Sequence, residues 1–169
     1  MIKSIYQYTL KREKVGGIAD NVCTSDPEHV VEFLKSINLH EEEQECLVAI
    51  VVGSRNNIRG YYIVTRGLVN QALAHPREVF RFAIINNATG VIIAHNHPSG
   101  DPQPSMKDIQ LTQKIREAGN VIDIELIDHV IIGDDNYFSF RKENILNNNP
   151  HNVGKGEIKN EQSNFTLWS

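Results

Sequence analysis

Four residues with side chains suited to a metal site lie close together in the chain: His95, His97, Ser105 and Asp108. Their spacing is H-x-H-x7-S-x2-D. Residues two apart on extended backbone point to the same side, so His95 and His97 can bind one ion at about 2.0 to 2.1 Å. A proline-containing loop then leads to Asp108. These residue types and this spacing predict a zinc site.

The three expected ligands would leave the coordination of zinc incomplete. Structural zinc sites fill all four tetrahedral positions with protein side chains. Two neutral imidazoles and one carboxylate leave a fourth position for water, whose pKa zinc lowers toward about 7. We therefore expect one zinc ion per chain, at a site of the hydrolytic kind.

Each half of the pattern also has an ordinary structural interpretation. Ser105 and Asp108 have the spacing of a capping box at a helix start, and two surface histidines usually have no special role. The combined pattern, however, should occur by chance in well under about one in a thousand chains of this length. The combination favours a metal site.

The segment AHNHPSGDPQPSMKD at 94–108 resembles the JAMM motif of the JAB/MPN metallopeptidase domain, in its RadC-like branch. Further matches are HPREVFRFAI at 75–84 and LIDHVIIG at 126–133, and the resemblance covers residues 25–141. It implies an α/β (α+β) fold of the cytidine-deaminase-like sandwich type, with a mixed β-sheet flanked by helices. It also implies a zinc metallopeptidase that cleaves peptide or isopeptide bonds.

The resemblance further implies a general base, a glutamate just ahead of an early buried strand. The register of Glu45 before the strand that starts at Cys46 favours Glu45, and Glu43, one strand period earlier, is the alternative. The other acids of 41–45 are expected to be solvated. Ser105 would hydrogen-bond the attacking water or the oxyanion, but only if capping does not consume its hydroxyl.

Three further positions give weaker indications. His129 heads an apolar strand and could contact a ligand, although a buried core histidine is the favoured interpretation. Arg77 could pair with a carboxylate, or simply belong to a helix start. Gly53 stands where RadC-like sequences usually carry an aspartate, which could loosen the adjacent hairpin turn.

The hydrophobic pattern predicts the elements that position these residues. Helices are expected from Pro27 to about Asn38, from about Arg77 to Asn86 with Ile84 inward, and from Ser105 to about Ala118, stopped by Gly119. Strands are expected at 2–13, 46–53, 59–65, 91–94, 127–132 and 137–140. We divide the chain into an N-terminal strand or extension (1–24), the RadC-like JAB/MPN domain (25–146) and a disordered tail (147–169).

Composition limits the classes of function. The 169 residues carry a net charge of −4, which gives no basic field for nucleic acid. No apolar run is long enough for a membrane span and no signal peptide is evident, so we expect a cytoplasmic protein. The only cysteines are Cys23 and Cys46, too few for a cysteine-rich zinc cluster.

The expected partner is a protein or peptide substrate, and the oligomeric state is left open. One alternative is a DNA-repair or mobile-element role, which the RadC name suggests but no binding motif supports. Another is a metal-binding scaffold without turnover. A nucleobase deaminase would need H-x-E followed by P-C-x-x-C, and neither motif is present.

Overall fold

A computed structural model describes residues 24–67 and 74–146 of the chain. The predicted strand at 2–13, Cys23 and the predicted tail from residue 147 lie outside the described residues. In the part that is described, no helix is both long and apolar enough to cross a membrane.

The described chain contains three α-helices and five strands. The helices are α1 (Pro27–Ser36), α2 (Pro76–Ile85) and α3 (Met106–Val121). The strands are β1 (Cys46–Val52), β2 (Ile58–Arg66), β3 (Gly90–Asn96), β4 (Glu125–Ile132) and β5 (Tyr137–Ser139), and a short 3-10 turn covers Leu39–Glu41.

The strands form one mixed sheet in the order β2-β1-β3-β4-β5. β3 and β4 are parallel, with α3 as the connection between them, and the other neighbouring pairs are antiparallel. All seven residues of β1 and all seven of β3 are buried, as expected for central strands with apolar runs. The predicted fold class, a mixed sheet flanked by helices, is confirmed.

Alternation along the central strands divides the core into two layers. Val48, Ile50, Ile92 and Ala94 face the α1 side of the sheet. The opposite side of the sheet packs against α2 and α3 and contains Leu47, Ala49, Val91, Ile93, Val79, Phe80 and Ile115. Since strand residues two apart share a face, His95 follows Val91 and Ile93 onto the α3 side, whereas Asn96 lies on the α1 side.

Local sequence accounts for the start of each helix. Asp26 caps α1 by accepting from the Glu28 amide at 3.0 Å, and Pro27 occupies the first turn. Pro76 opens α2, and Ser105 is the N-cap of α3. The helix starts therefore agree with the expectations from sequence.

Two details of the predicted elements are wrong. Helix α3 does not stop at Gly119 but continues to Val121, because Gly119 is a packing position: a Cβ there would lie 2.4 Å from the Ile124 carbonyl oxygen. Ile84 is 56% exposed rather than inward, since the buried side of α2 is already formed by Val79, Phe80 and Ala83.

Candidate metal centre

The fold brings the three predicted ligands together at the end of β3. His95 is the penultimate residue of β3, and His97 is the first residue after the strand. Asp108 lies in the first turn of α3. The Nε2 atoms of His95 and His97 are 3.0 Å apart, and Asp108 Oδ1 is 3.3 Å from His95 Nε2. His97 Nε2 is 3.8 Å from Asp108 Oδ2.

These separations suit a small tetrahedral cation. Zinc with bonds of about 2.0 to 2.1 Å holds neighbouring ligand atoms about 3.3 to 3.4 Å apart, and the observed separations bracket that value. One ligand atom from each residue lies within 4.8 Å of the others. The cluster therefore has a donor set and spacing that suit a small metal cation.

A backbone carbonyl orients the ring of His97. His97 Nδ1 lies 2.7 Å from the Asp101 carbonyl oxygen, which can only accept a hydrogen bond. Nδ1 must therefore carry the proton, and in the neutral ring Nε2 has a free lone pair that faces the cluster. This is the tautomer that a metal ligand requires.

The loop between His97 and Ser105 is fixed against the end of β4. The His97 amide donates to the Ile132 carbonyl at 2.9 Å, and the Asp134 amide donates to Gly100 at 3.3 Å. Gly133 permits the close approach, because a Cβ there would lie 2.2 Å from the Gly100 carbonyl oxygen. The loop thereby holds α3 and its aspartate beside the histidines.

Ser105 and Asp108 form both hydrogen bonds of a capping box at the start of α3. Its amide donates to Asp108 Oδ2 at 2.7 Å, and its hydroxyl donates to the same oxygen at 2.5 Å. The hydroxyl also accepts from the Asp108 amide at 3.3 Å. The condition for an oxyanion role, a hydroxyl free of capping, is not met in this structure. Ser105 instead occupies Asp108 Oδ2 and leaves Oδ1 toward His95.

His129 lies directly behind His95. Its Nε2 is 3.0 Å from His95 Nδ1, and its other nitrogen, Nδ1, is 2.6 Å from the Thr112 hydroxyl. Burial lowers the pKa of His95 to about 4 and that of His129 well below its usual range, so both rings are neutral near pH 7. His129 is thus a core histidine that also contacts a predicted ligand.

Glu45 directly precedes β1 and lies near enough to the cluster for its charges to act on the Glu45 carboxyl group. Its side chain is exposed, yet partial desolvation raises its pKa, and the negative charge of Asp108 raises it further. The charge of a protonated His97 and that of Lys107 would act in the opposite direction. The pKa of Glu45 is therefore sensitive to the charges of two of the predicted ligands. Glu43 instead lines a polar cavity with Glu41 and Arg66.

Two other predicted positions do not join the cluster. Arg77 is exposed in the first turn of α2, and among the described residues no ion pair or hydrogen bond connects it to the cluster.

Gly53 closes the β1–β2 turn with two backbone hydrogen bonds, to Asn56 and Asn57. The turn is therefore closed despite the glycine. The Arg59 side chain occupies the space where a residue larger than glycine would place its Cβ.

Asn96, the residue between the two histidines, has a role that sequence reasoning missed. Its Oδ1 accepts from the buried Cys46 amide at 2.8 Å. Its Nδ2 donates to the carbonyls of Glu42 at 2.9 Å and Gln44 at 3.2 Å. Asn96 thereby attaches the segment that carries Glu45 to the strand that carries the histidines. The alternation of side chains along β3 was the available signal, because it turns the middle residue of H-N-H to the opposite face.

Comparison with known proteins identifies relatives of the whole described region. A family model described as RadC-like JAB domain matches residues 24–145. A UPF0758 protein of Clostridium beijerinckii is 37% identical over 129 residues, which are 76% of this chain and 56% of that relative. A UPF0758 protein of Thermotoga maritima is 45% identical over 104 residues, 62% of this chain and 47% of the relative. The chain thus spans about half the length of these curated relatives.

Proposed function

The chain belongs to the RadC-like JAB domain family, and on this basis we propose that it is a zinc-dependent hydrolase of peptide or isopeptide bonds. The observation that carries the proposal is the convergence of His95 Nε2, His97 Nε2 and Asp108 Oδ1, with Glu45 near enough for the charge of Asp108 to raise its pKa. A purely structural zinc site would have no use for a second carboxylate that is not a ligand.

The three ligands would hold the zinc ion. When bound, zinc supplies a Lewis acid that polarises a carbonyl group and makes water more acidic. His95 and His97 present Nε2 toward it, and Asp108 presents Oδ1 because Ser105 already occupies Oδ2. Two neutral imidazoles and one carboxylate leave a net positive charge at such a site, which favours binding of an electron-rich carbonyl oxygen.

Glu45 is assigned the proton transfers. Its carboxylate accepts a proton from the water that attacks the carbonyl carbon, and it then donates that proton to the leaving nitrogen as the C–N bond breaks. Partial desolvation and the neighbouring Asp108 raise its pKa, which brings its basicity closer to what general catalysis near neutral pH needs.

Ser105 and Asn96 are assigned supporting roles. Ser105 holds the Asp108 carboxylate by two hydrogen bonds, and Asn96 holds the backbone next to Glu45 by three. Both residues fix the position of a group that acts on substrate or metal. Neither needs to contact the substrate.

The proposal is tested with the full chain loaded with one equivalent of zinc. Peptide libraries and lysine-linked isopeptides are incubated with wild type and Glu45→Gln, and new amino groups are identified by mass spectrometry. We expect cleavage that requires zinc and that is lost in Glu45→Gln although zinc is retained. Zinc retention with no cleavage by wild type would favour the non-catalytic scaffold and overturn the proposal.

No observation on the described residues favours the DNA-linked alternative, so it is not proposed as a second function. A salt titration in a gel-shift assay distinguishes it. Binding that weakens steeply as salt rises would show contacts with phosphates and would support it.

A further inference from the structure

A continuous chain of hydrogen bonds runs from Asp108, through Thr112 and His129, to His95. The Thr112 hydroxyl is 2.6 Å from the Asp108 carbonyl oxygen and 2.6 Å from His129 Nδ1. His129 Nε2 is 3.0 Å from His95 Nδ1. The chain thus begins on the backbone of Asp108, crosses from α3 to β4, and ends on the ring of His95.

The Asp108 carbonyl oxygen fixes the donor and acceptor of every hydrogen bond in this series. A carbonyl oxygen can only accept, so the Thr112 hydroxyl donates its single proton to Asp108. The Thr112 oxygen must then accept from His129, whose Nδ1 therefore carries a proton. In a neutral His129 ring Nε2 is an acceptor, so His95 Nδ1 must donate to it.

This order of donors and acceptors determines which ring nitrogen of His95 is unprotonated. With its proton on Nδ1, a neutral His95 has its lone pair on Nε2, the nitrogen that faces His97 and Asp108. The Asp101 carbonyl gives the same tautomer to His97 by a direct hydrogen bond. In His95 the same tautomer is fixed indirectly, through the side chains of His129 and Thr112.

The environment of His129 suits this intermediate position. The ring is fully buried and is stacked on Phe140 with centroids 4.7 Å apart and planes inclined by 9°. Thr112 is also buried. Burial removes water as an alternative partner, so each ring nitrogen of His129 depends on the contact described.

We propose that Thr112 and His129 are positioning residues that fix His95 as the Nδ1-protonated tautomer and so direct its Nε2 lone pair at the metal. The proposal rests on the metal site of the proposed function. The Thr112 hydroxyl donates to the backbone of Asp108, and a helical threonine that donates to the carbonyl four residues earlier is common. The distinguishing observation is its second hydrogen bond, to His129.

Two pairs of variants separate positioning from packing. Thr112→Val keeps the shape and removes the hydroxyl, whereas Thr112→Ser keeps the hydroxyl. His129→Phe keeps the stacking on Phe140 and removes both nitrogens, whereas His129→Gln keeps an acceptor for His95. We expect zinc affinity, measured by competition with a chelator, to fall about 10- to 100-fold in Thr112→Val and His129→Phe. Thr112→Ser and His129→Gln should recover most of the loss.

A second measurement needs neither zinc nor activity. Nitrogen-15 NMR of histidine-labelled, metal-free wild type at pH 7 reports which ring nitrogen is protonated. We expect Nδ1 protonation for both His95 and His129, and loss of that preference in Thr112→Val. This measurement on wild type also keeps the proposal testable if a variant fails to fold.

The outcomes separate this proposal from the proposed function. An Nε2-protonated His95 in metal-free wild type, or unchanged zinc affinity in a folded Thr112→Val, would overturn the positioning role while leaving the zinc site intact. Wild type with the expected tautomers but no affinity for zinc would refute the proposed function, and the role of the tautomer in metal binding with it.

Discussion

The Nε2 atoms of His95 and His97 lie 3.0 Å apart, and each ring has its other nitrogen engaged elsewhere. Two lone pairs at this separation repel each other, and the Asp108 carboxylate beside them adds a negative charge. A cation shared by the three groups removes this repulsion. The arrangement therefore indicates a site built for a positively charged ligand.

The first prediction concerns metal content. Purified wild type should hold about one zinc ion per chain, and His97→Ala should lose it, because three protein ligands are reduced to two. Elemental mass spectrometry measures the ratio. His75→Ala is the matched control, since His75 is exposed at the start of α2 and outside the cluster. Wild type without zinc, or His97→Ala that retains it, contradicts the assignment.

The second prediction decides between the two glutamates. Glu45→Gln should lower turnover by about 10² to 10⁴-fold with zinc retained, since it removes the general base. Glu43→Gln, which changes an exposed carboxylate of the same segment, should stay within a few-fold of wild type. Rates are measured on the best peptide found with the wild type. The reverse ranking would move the catalytic role to Glu43.

The third prediction concerns Ser105. Ser105→Ala should cost about 1 kcal/mol of folding stability through loss of the helix cap, and it should weaken zinc binding because Asp108 loses a hydrogen bond. At saturating zinc, turnover should change less than tenfold. Ser105→Thr keeps the hydroxyl and is the control. A 10² to 10³-fold loss of turnover at full zinc occupancy would instead indicate an oxyanion donor.

The fourth prediction is a loss of stability in acid. The pKa of His95 is about 6.5 in the unfolded chain and burial lowers it to about 4 in the fold, so between these values the unfolded chain binds a proton that the native chain excludes. The free energy of unfolding of the metal-free protein should therefore fall as pH drops from 6.5 toward 4. Each such histidine contributes a slope of about 1.4 kcal/mol per pH unit.

Denaturant titrations across this pH range measure the slope. His129→Phe should reduce it, because the pKa of His129 is also lowered by burial and its contribution disappears with the ring. Equal slopes for wild type and His129→Phe would show that the buried ring does not resist protonation.

The fifth prediction tests Asn96 as the link between Glu45 and the ligand strand. Asn96→Ala leaves the Cys46 amide without its partner and should cost about 1 to 3 kcal/mol of stability. Turnover should fall with zinc retained, because Glu45 is displaced. In the double variant with Glu45→Gln, the added loss of turnover should vanish. An additive loss would mean that Asn96 acts by another route.

The cluster of His95, His97 and Asp108 was predictable because its geometry is local. His95 and His97 share a face through strand periodicity, and Asp108 is held near them by one short loop, so the sequence distance is small and the spacing carries the information. The buried runs that became β1 and β3 were equally clear, because a central strand must be apolar on both faces.

The specific partners in the supporting contacts were not predictable from the sequence because the contacts join distant segments. Asn96 bonds the Cys46 amide 50 residues earlier, and His129 meets His95 34 residues away. Their chemistry depends on strand order and register, which no local pattern specifies. Gly119 has a similar explanation: glycine commonly ends helices, but here the approach of the Ile124 backbone requires it inside one.

Backbone hydrogen bonds hold the loop from His97 to Ser105 against the end of β4. This would reduce the chain entropy lost when a metal ion binds. A ligand set assembled by the metal must lose chain freedom on binding, and that loss subtracts from affinity. Here backbone hydrogen bonds and the close packing of Gly100 on Gly133 place the loop within the fold itself. The conformational cost of bringing Asp108 to the histidines belongs to folding, so a metal ion bound there would lose little affinity to ordering of this loop.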